Sequence, residues 1–354
     1  MSHRHLFHVE GLPVFQNKMF PTCEAALSCP RGDMLLVQDS ETGFIFNSAF
    51  DSTLLEYDAH YQNEQACSAA FRRHLEEIRE VIDRRFSGKL LIEVGCGKGY
   101  FLEYLHDAGY DIIGVDPAYE GDNKRVTRAC FEPELGLRAD GIVLRHVLEH
   151  ISNPFAFLSE IARANGGVGQ IYIEVPCFDW ICQRRAWFDI FYEHVNYFRI
   201  ADFQRMFGKV LEIGHVFGGQ YLYVVADLAT LKRPVLSEQD VFDFPGDFLD
   251  DIDRVAAMAR SGQAAIWGGA SKGVIFALYM QRLDVPLDCV IDINPAKQNK
   301  FMAGTGLRIS TPDAGMNMLN KGANIFVMNS NYLQEIIGLS NNRFNYIEVD
   351  RNAA

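Results

Sequence analysis

The stretch Leu90-Leu-Ile-Glu-Val-Gly-Cys-Gly-Lys-Gly99 decides the fold of this chain. It begins as an apolar run, which is typical of a buried parallel strand, and then breaks into glycines before a helical sequence, Tyr100 to His106. Glycines let the backbone approach a ligand closely, and the N-terminus of the following helix points at the same place. A second apolar run, Ile112 to Val115, ends at Asp116. This order predicts a nucleotide-binding βαβ unit in which the final acid suits a ribose diol.

The spacing of an acid and three glycines separates this loop from a dinucleotide-binding turn. A dinucleotide turn has glycines at its first, third and sixth positions, whereas here Glu93 precedes Gly95 by two residues and every second residue is glycine up to Gly99. The loop resembles motif I of the class I S-adenosylmethionine-dependent methyltransferases, and the resemblance makes Asp116 the ribose-binding acid. It implies a cofactor site formed by Glu93, Gly95, Cys96, Gly97, Gly99, Asp116, Pro117, Arg145 and His146.

The composition is that of an ordinary globular protein. The 354 residues predict two or three domains of roughly 100–200 residues each, and 48% hydrophobic with 22% charged residues fits a soluble chain. The formal net charge of -13 argues against nucleic acid as a partner, because phosphate binding needs a basic surface. No run of about 18 apolar residues occurs, so no membrane partner is expected and the protein is expected to be cytoplasmic.

The eight cysteines, at positions 23, 29, 67, 96, 130, 177, 182 and 289, form no Cys-x-x-Cys pair. Neither a zinc knuckle nor a disulfide framework is therefore predicted, which fits a reducing compartment. Cys96 lies inside the glycine loop and is most simply a small packing residue.

The hydrophobic pattern divides the chain into three parts of an α/β protein. Residues 1–65 predict a small N-terminal β-containing module, in which Met34–Gln38 and Phe44–Phe46 form a hairpin. Residues 66–229 predict a Rossmann-like methyltransferase core that ends in an antiparallel pair of strands. Residues 240–354, after a linker-like stretch, predict a second and smaller α/β domain.

Polar residues follow the predicted strands of the core. His146, Glu149 and His150 come just after one strand, at the edge where ligands bind in open α/β sheets. A later aromatic segment carries Glu193 and His194 side by side. Both groups are therefore candidates for the chemistry of the site.

A second strand and glycine turn, Ala264–Gly273, begins the C-terminal domain. Its paired strand starts at Val290 and ends near Asp292. No Asp or Glu stands two residues before its glycines, so a second S-adenosylmethionine site is not predicted there.

Several blocks of the sequence together resemble the three-domain C-methyltransferases that act on nucleotide-activated deoxy-keto-sugars. These blocks are motif I, Arg145–His150 with Tyr192–His194, and Trp267–Gly273 with Asp292–Lys297. The resemblance implies an N-terminal module, a methyltransferase core, a C-terminal Rossmann-like domain and a nucleotide sugar as acceptor. It also implies that His150, Glu193 and His194 lie in the active site.

The N-terminal module departs from the pattern of that family. The family carries four zinc cysteines in Cys-x-x-Cys pairs there, whereas Leu36–Gly43, which resembles the second pair, contains no cysteine. Cys23 and Cys29 are too far apart in sequence to replace such a pair. No structural zinc and no other metal is predicted.

A carbon acceptor needs a base that removes a proton α to a carbonyl, and the enolate that results must be stabilised. A neutral histidine has a pKa suited to this task, which makes His150 and His194 the candidates, with Glu193 to orient the ring or share the proton. A core or helix-capping role for His150 and a surface loop for Glu193-His194 are the structural alternatives.

Four tyrosines are candidates for contact with the acceptor. Tyr57 and Tyr61 lie four residues apart, and core packing is as well supported as hydroxyls that reach a substrate. Tyr192 and Tyr197 flank the Glu-His pair and are predicted to be walls of the pocket rather than catalysts.

Two classes of function follow from these observations. The first is a small-molecule methyltransferase, most concretely of carbon in an activated sugar or similar keto metabolite, with an O- or N-methyltransferase as the alternative. The second is a non-catalytic S-adenosylmethionine-binding scaffold. The acceptor, the methylated atom, the role of the C-terminal domain and the oligomeric state stay open.

Overall fold

The structure is a computed structural model that describes residues 3–55 and 67–350. An antiparallel sheet forms its first part. Its first elements are β1 (His3–Pro13), α1 (Cys23–Leu27), β2 (Arg31–Asp39) and β3 (Ile45–Asn47). β1 pairs with β2, and β2 pairs with β3, both antiparallel. The turn between β2 and β3 is held by Asp39, whose carboxylate accepts hydrogen bonds from the backbone N–H groups of Glu41 and Thr42. The predicted hairpin is therefore confirmed.

A seven-stranded sheet forms the centre of the molecule. The elements of this part of the chain are α2 (Ala69–Phe86), β4 (Leu90–Val94), α3 (Tyr100–Asp107), β5 (Asp111–Val115), β6 (Val126–Thr127), β7 (Gly141–Arg145), α4 (Pro154–Ala164), β8 (Gln170–Pro176), α5 (Phe178–Gln183), β9 (Asn196–Tyr197), α6 (Ile200–Met206), β10 (Val210–Val216) and β11 (Tyr221–Asp227). The sheet order is β10-β11-β8-β7-β4-β5-β6. The five strands from β8 to β6 are parallel, and β10 and β11 form the predicted antiparallel pair.

Local sequence explains where these elements begin. β4 is almost wholly buried, as expected for a central parallel strand that is covered on both faces. Helix α4 begins after Asn153, whose side chain accepts a hydrogen bond from the backbone N–H of Ala156, and Pro154 occupies its first turn. The order of the strands reverses at β4, because the chain continues from β4 to β5 on one side while β7 lies on the other side. In open α/β sheets, ligands bind at the carboxyl ends of the strands at such a point.

Helix α2 is amphipathic. It buries Phe71, Leu75 and Ile78 against the sheet while its arginines and glutamates alternate with them.

In the two described ranges no helix combines the length and apolarity that crossing a membrane requires.

A five-stranded parallel sheet forms the C-terminal part. Its elements are α7 (Ile252–Arg260), β12 (Ala264–Trp267), α8 (Lys272–Arg282), β13 (Cys289–Ile291), β14 (Ile309–Ser310), α9 (Pro312–Met318), β15 (Asn324–Val327), α10 (Leu333–Leu339) and β16 (Asn345–Glu348). The sheet order is β14-β13-β12-β15-β16, and every neighbouring pair is parallel. The α/β fold class, with a Rossmann-like core, an N-terminal β-containing module and a smaller C-terminal α/β domain, is confirmed.

The three parts are packed into one another. Strand β9 of the core pairs with β3 of the first sheet, through Ile45 and Tyr197. Glu335 of α10 accepts hydrogen bonds from the backbone N–H groups of Ala69 and Ala70, so a C-terminal side chain caps α2 of the core. The domain boundaries at 1–65, 66–229 and 240–354 stay predictions.

Candidate active site

A cavity of about 370 Å³ lies where the core and the C-terminal part meet. The carboxyl end of β4 and the turn after it form one wall, and the turn after β12 forms the opposite wall. We call this space the central cavity. The sequence-predicted residues that line it are Glu93, Gly95, Cys96, Gly97, Arg145, His146, His150 and His194.

The glycine loop needs glycine for two different reasons. Gly95 and Gly97 have φ values of +73° and +54°, which L-residues with side chains rarely adopt. A Cβ atom at Gly95 would also lie 2.5 Å from Cγ2 of Val147, whereas one at Gly97 would meet no atom within 4 Å. The backbone N–H of Gly97 donates to the Asp116 carboxylate at 2.8 Å, so that acid fixes the loop. Gly97 is therefore the open point of a cradle that a side chain would fill.

Glu93 is a buried acid whose charge is only partly compensated. Its Oε2 atom is buried and has no hydrogen-bond partner among the described residues. Burial raises the pKa of Glu93 to about 8, against the opposing charge of Arg145. A cation bound in the cavity would satisfy this oxygen, and a sulfonium cofactor with an ammonium group supplies one. The residues present therefore fit S-adenosylmethionine.

Arg145 belongs to a buried polar network centred on Glu174. Its Nε and Nη2 atoms each lie 3.3 Å from a Glu174 oxygen, while its guanidinium stacks 4.3 Å from the ring centroid of Phe101. His74 Nε2 and the Tyr172 hydroxyl also contact this carboxylate, at 2.9 and 2.8 Å. Although burial alone would raise the pKa of Glu174, Arg145 and His74 hold it well below its usual range. The network therefore holds the guanidinium of Arg145 at the wall of the central cavity.

His146 joins the same network from the end of β7. It has a φ of +52°, and its Nε2 and Nδ1 atoms lie 3.0 Å from Glu174 and 3.4 Å from Glu149. Burial opposes its protonation, but the hydrogen bonds with Glu149 and Glu174 raise its pKa to about 9. His146 therefore carries a positive charge at neutral pH.

His150 and His194 form a pair in the lining of the central cavity. Their ring centroids are 5.1 Å apart, with the rings edge to face. His150 Nδ1 lies 2.8 Å from the backbone carbonyl of Glu193, and a carbonyl only accepts, so Nδ1 carries the proton and Nε2 the lone pair. Burial, together with the charges of His150, His146 and Lys272, lowers the pKa of His194 well below its usual value. The pair thus combines an oriented base with a neutral imidazole.

Glu193 joins the core to the N-terminal module. Its side chain is fully buried, and it accepts hydrogen bonds from the backbone N–H of Gln16 and from Nδ2 of Asn17. These partners belong to the N-terminal module, and Asn17 also lines the cavity. Glu193 does not itself line the cavity. Its predicted proton-sharing role stays a prediction, and the contacts described here favour an anchoring role.

Several other predicted residues lie outside the lining of the central cavity. These are Gly99, Asp116, Pro117, Tyr192 and Tyr197. The Asp116 carboxylate accepts from the backbone N–H of Ala118 as well as from the glycine loop, so it acts first as a loop anchor. The Tyr192 hydroxyl accepts from the backbone N–H of Asp51, and the Tyr197 hydroxyl bonds to the backbone of Phe191.

Both of these tyrosines are buried, and backbone groups of Asp51 and Phe191 bond to their hydroxyls, so the geometry gives no support to their predicted contact with an acceptor. Tyr57 and Tyr61 lie outside the described residues. The site assignments of all four tyrosines stay predictions.

Two side-chain groups in the described ranges have the separations of metal ligands. One comprises His74, His146 and Glu174, and the other Glu149, His150 and His194. The first is tied into the hydrogen bonds of the polar network. The second combines the histidine pair with a carboxylate whose Oε2 is buried and unpartnered in the described part of the chain. Neither group contains a cysteine, so neither replaces the zinc site of the resembled family.

Residues 60–210 match the profile of a family described as a methyltransferase domain. This chain carries a methyltransferase domain. The predicted enzyme class and its S-adenosylmethionine cofactor are confirmed at the level of that domain. The match covers the glycine loop and both members of the histidine pair.

Two curated relatives resemble parts of the chain. C-methyltransferase NovU from Streptomyces niveus is 25% identical over 206 residues, which are 51% of this chain and 48% of that protein. A probable S-adenosylmethionine-dependent methyltransferase from Mycolicibacterium smegmatis is 28% identical over 119 residues, 30% of this chain and 45% of that protein. This chain therefore spans about half the length of the curated relatives it matches.

A solved structure of 1,6-didemethyltoxoflavin-N1-methyltransferase from Burkholderia thailandensis is also similar. It is 16% identical, covers 45% of this chain and 78% of that chain, and superposes with a TM-score of 0.33.

The site contains residues that sequence reasoning did not select. Glu174 and His74 are 100 positions apart, and Asp189 and Lys272 meet from different domains. Glu174 lies near the end of the buried strand β8 and pairs with the last residue of β7, so its position toward the carboxyl edge of the sheet is a usable signal. Nothing local in the sequence marks Asn17, because its role depends on contacts with Glu193 and Ser271 far along the chain.

Proposed function

We propose that this protein transfers a methyl group from S-adenosylmethionine to a carbon α to a carbonyl group. The acceptor class is a nucleotide-activated keto-sugar or a similar keto metabolite. The methyltransferase domain supports the reaction class, and the 25% identity with C-methyltransferase NovU supports a carbon acceptor. The single observation that carries the proposal is the histidine pair beside the glycine loop, with one ring oriented as a base.

The chain's own residues would hold the cofactor through charge and shape. Gly95 and Gly97 let the loop backbone approach it, and the unpartnered oxygen of Glu93, a residue of the cavity lining, favours a cation there. The cofactor supplies an electrophilic methyl group on a sulfonium. The protein's task is then to align the acceptor carbon with that group and to exclude water.

The histidine pair would move the proton. The lone pair on His150 Nε2 takes the proton from the α-carbon, and the hydrogen bond from Nδ1 to the Glu193 carbonyl stabilises the imidazolium that forms. His194 stays neutral beside it, because two adjacent imidazoliums would repel each other in a buried site. Once the new C–C bond has formed, the proton leaves His150 for water.

Hydrogen exchange tests the proposal before any methyl transfer is required. The full chain is incubated in D₂O with S-adenosylhomocysteine and a panel of nucleotide-activated 4-keto-6-deoxyhexoses, and deuterium at the α-carbon is followed by NMR. The wild-type chain is expected to exchange the proton with at least one of these sugars. His150→Ala is expected to lower exchange by about 10²–10⁴, because it removes the base, and His194→Ala is expected to lower it less, because that ring lies beside the base and does not take the proton.

S-adenosylhomocysteine binding to both variants is measured as the control, and it should remain near the wild-type value. Wild-type turnover without any α-exchange would point to an oxygen or nitrogen acceptor. Cofactor binding with neither exchange nor turnover on any acceptor would favour the scaffold. Unchanged exchange in a histidine variant would remove that histidine from the mechanism.

A further inference from the structure

Lys272 is a buried cation on the C-terminal wall of the central cavity. It is the first residue of α8 and is 8% exposed. Its Nζ atom lies 5.0 Å from the ring centroid of Trp180 and 6.0 Å from that of Phe188, so aromatic faces surround the charge. A charge removed from water in this way exerts a strong field on the space next to it.

The contact with Asp189 uses only part of the hydrogen-bonding capacity of this lysine. Nζ lies 2.9 Å from Asp189 Oδ2, which occupies one direction around the ammonium group, and no other hydrogen-bond partner of Nζ is present among the described residues. An ammonium group has three N–H donors. Leaving buried donors unpaired is costly, so this arrangement is suited to an acceptor atom that arrives with a ligand.

Three parts of the chain fix the position of Lys272. The residue before it, Ser271, has a φ of +44°, a conformation that costs free energy in a non-glycine residue. Its backbone N–H donates to the Gln16 carbonyl at 3.0 Å, and its hydroxyl donates to Asn17 Oδ1 at 2.8 Å. Asn17 in turn donates to Glu193 at 3.1 Å. The strained turn is thereby connected to the segment that carries His194.

The aligned base accounts for only half of the chemistry proposed above. Removing a proton α to a carbonyl moves an electron pair onto the carbonyl oxygen, and a positioned cation or donor must stabilise that oxygen. The positive charge of Lys272 reaches His194, since it contributes to the lowered pKa of that ring. Lys272 and His194 also line the same cavity.

We propose that Lys272 is the catalytic residue that stabilises the enolate oxygen of the acceptor. This inference rests on the proposed carbon methylation. As the base takes the α-proton, the C–H electron pair forms the C=C bond and the carbonyl π pair moves to oxygen, where a Lys272 N–H donates. When the enolate carbon bonds to the methyl carbon, the C=O bond reforms and the S–CH₃ pair stays on sulfur. The C-terminal domain thus completes the active site.

The test uses α-proton exchange in D₂O with S-adenosylhomocysteine bound and a thymidine-diphosphate-activated 4-keto-6-deoxyhexose as the probe. Lys272→Met keeps much of the side-chain length and removes the charge, and it is expected to lower the exchange rate at saturating probe by about 10²–10³. S-adenosylhomocysteine affinity should remain unchanged. Asp189→Asn, which keeps Lys272, should lower exchange far less.

Lys89→Met provides the matched control. Lys89 is a half-buried lysine over the Phe86 ring, but its Nζ donates to the Arg85 carbonyl and to Gln170, and it lies outside the cavity lining. Its loss should leave the exchange rate unchanged. Thermal unfolding and near-ultraviolet circular dichroism of each variant show whether a lost rate reflects lost folding.

The outcomes separate this inference from the proposed function. No exchange by the wild-type chain with any keto-sugar contradicts the keto-sugar acceptor and, with it, the role of Lys272 on that acceptor. Wild-type exchange that persists in folded Lys272→Met contradicts the role of Lys272 alone. A raised KM for the probe with an unchanged saturating rate would mean that Lys272 binds the diphosphate, and it would also overturn the inference. Equal losses in Lys272→Met and Asp189→Asn, matched by equal losses of thermal stability, would reduce the pair to a structural ion pair.

Discussion

At the scale of single residues, Glu93 is the side chain whose state depends most directly on a ligand. It is a carboxyl group in motif I with a buried, unpartnered oxygen, and burial raises its pKa to about 8. The acid is therefore mostly neutral at pH 7 while the site holds no cation. A positively charged cofactor favours the carboxylate, so binding and proton release are linked.

We expect S-adenosylmethionine binding at pH 7 to release more protons from the wild-type chain than from Glu93→Gln. Calorimetric titration in buffers of different ionisation enthalpy measures the number released. The difference between the two proteins isolates Glu93 from the titration of the ligand's own amine. It should approach one proton at pH 7 and vanish above pH 9, where Glu93 is already ionised. Equal proton release at pH 7 would show that this carboxyl does not sense the cofactor.

At the scale of elements, the carboxyl ends of β7 and β8 carry the buried polar network centred on Glu174. Glu174 and His146 titrate in opposite senses. Folding lowers the pKa of Glu174, so the stability that this group contributes is present above the pKa it has in the unfolded chain and is lost in acid. The raised pKa of His146 contributes stability that is fully present below about 6.5 and lost as pH rises toward 9.

The free energy of unfolding of the wild-type chain should therefore fall more steeply between pH 6.5 and 9 than that of His146→Gln. One proton that is bound in the folded chain and absent from the unfolded chain changes the free energy of unfolding by about 1.4 kcal/mol per pH unit. The difference between the two curves should therefore shrink by up to that amount per pH unit. Urea unfolding at a series of pH values gives the measurement. His5→Gln removes an exposed histidine of β1 and should run parallel to the wild type. Parallel curves for wild type and His146→Gln would contradict the network described here.

The elements show what could be predicted from sequence and why. The glycine loop, the hairpin, the antiparallel pair and the second parallel sheet follow from patterns a few residues long, so the sequence predicts them directly. The anchors of the site do not follow in this way. Glu193 meets Gln16 across 177 positions, and Ser271 meets Asn17 across 254. The adjacent residues Glu193 and His194 predict a catalytic pair, but their side chains contact different neighbours. Glu193 accepts hydrogen bonds from the N-terminal module, whereas His194 packs against His150.

At the scale of the whole molecule, the central cavity belongs to no single part of the chain. The core supplies the glycine loop and the histidine pair, the N-terminal module supplies Asn17, and the C-terminal part supplies Lys272. Glu335 strengthens this assembly by capping α2 from α10. The C-terminal domain thus has a structural reason to accompany the methyltransferase domain, although its own glycine turn lacks the acid of motif I.

Calorimetric titration of the full chain with S-adenosylmethionine tests the central claim most directly, because every proposed step depends on that cofactor occupying the glycine loop. Gly97→Arg places a long side chain in the open cradle and should abolish binding. Gly88→Arg is the matched control, since Gly88 has a similar φ of +69° and open space around its Cβ position but lies outside the cavity lining. We predict saturable one-site binding for wild type and Gly88→Arg, and none for Gly97→Arg. Absence of binding to the folded wild-type chain, or undiminished binding to Gly97→Arg, would contradict the account.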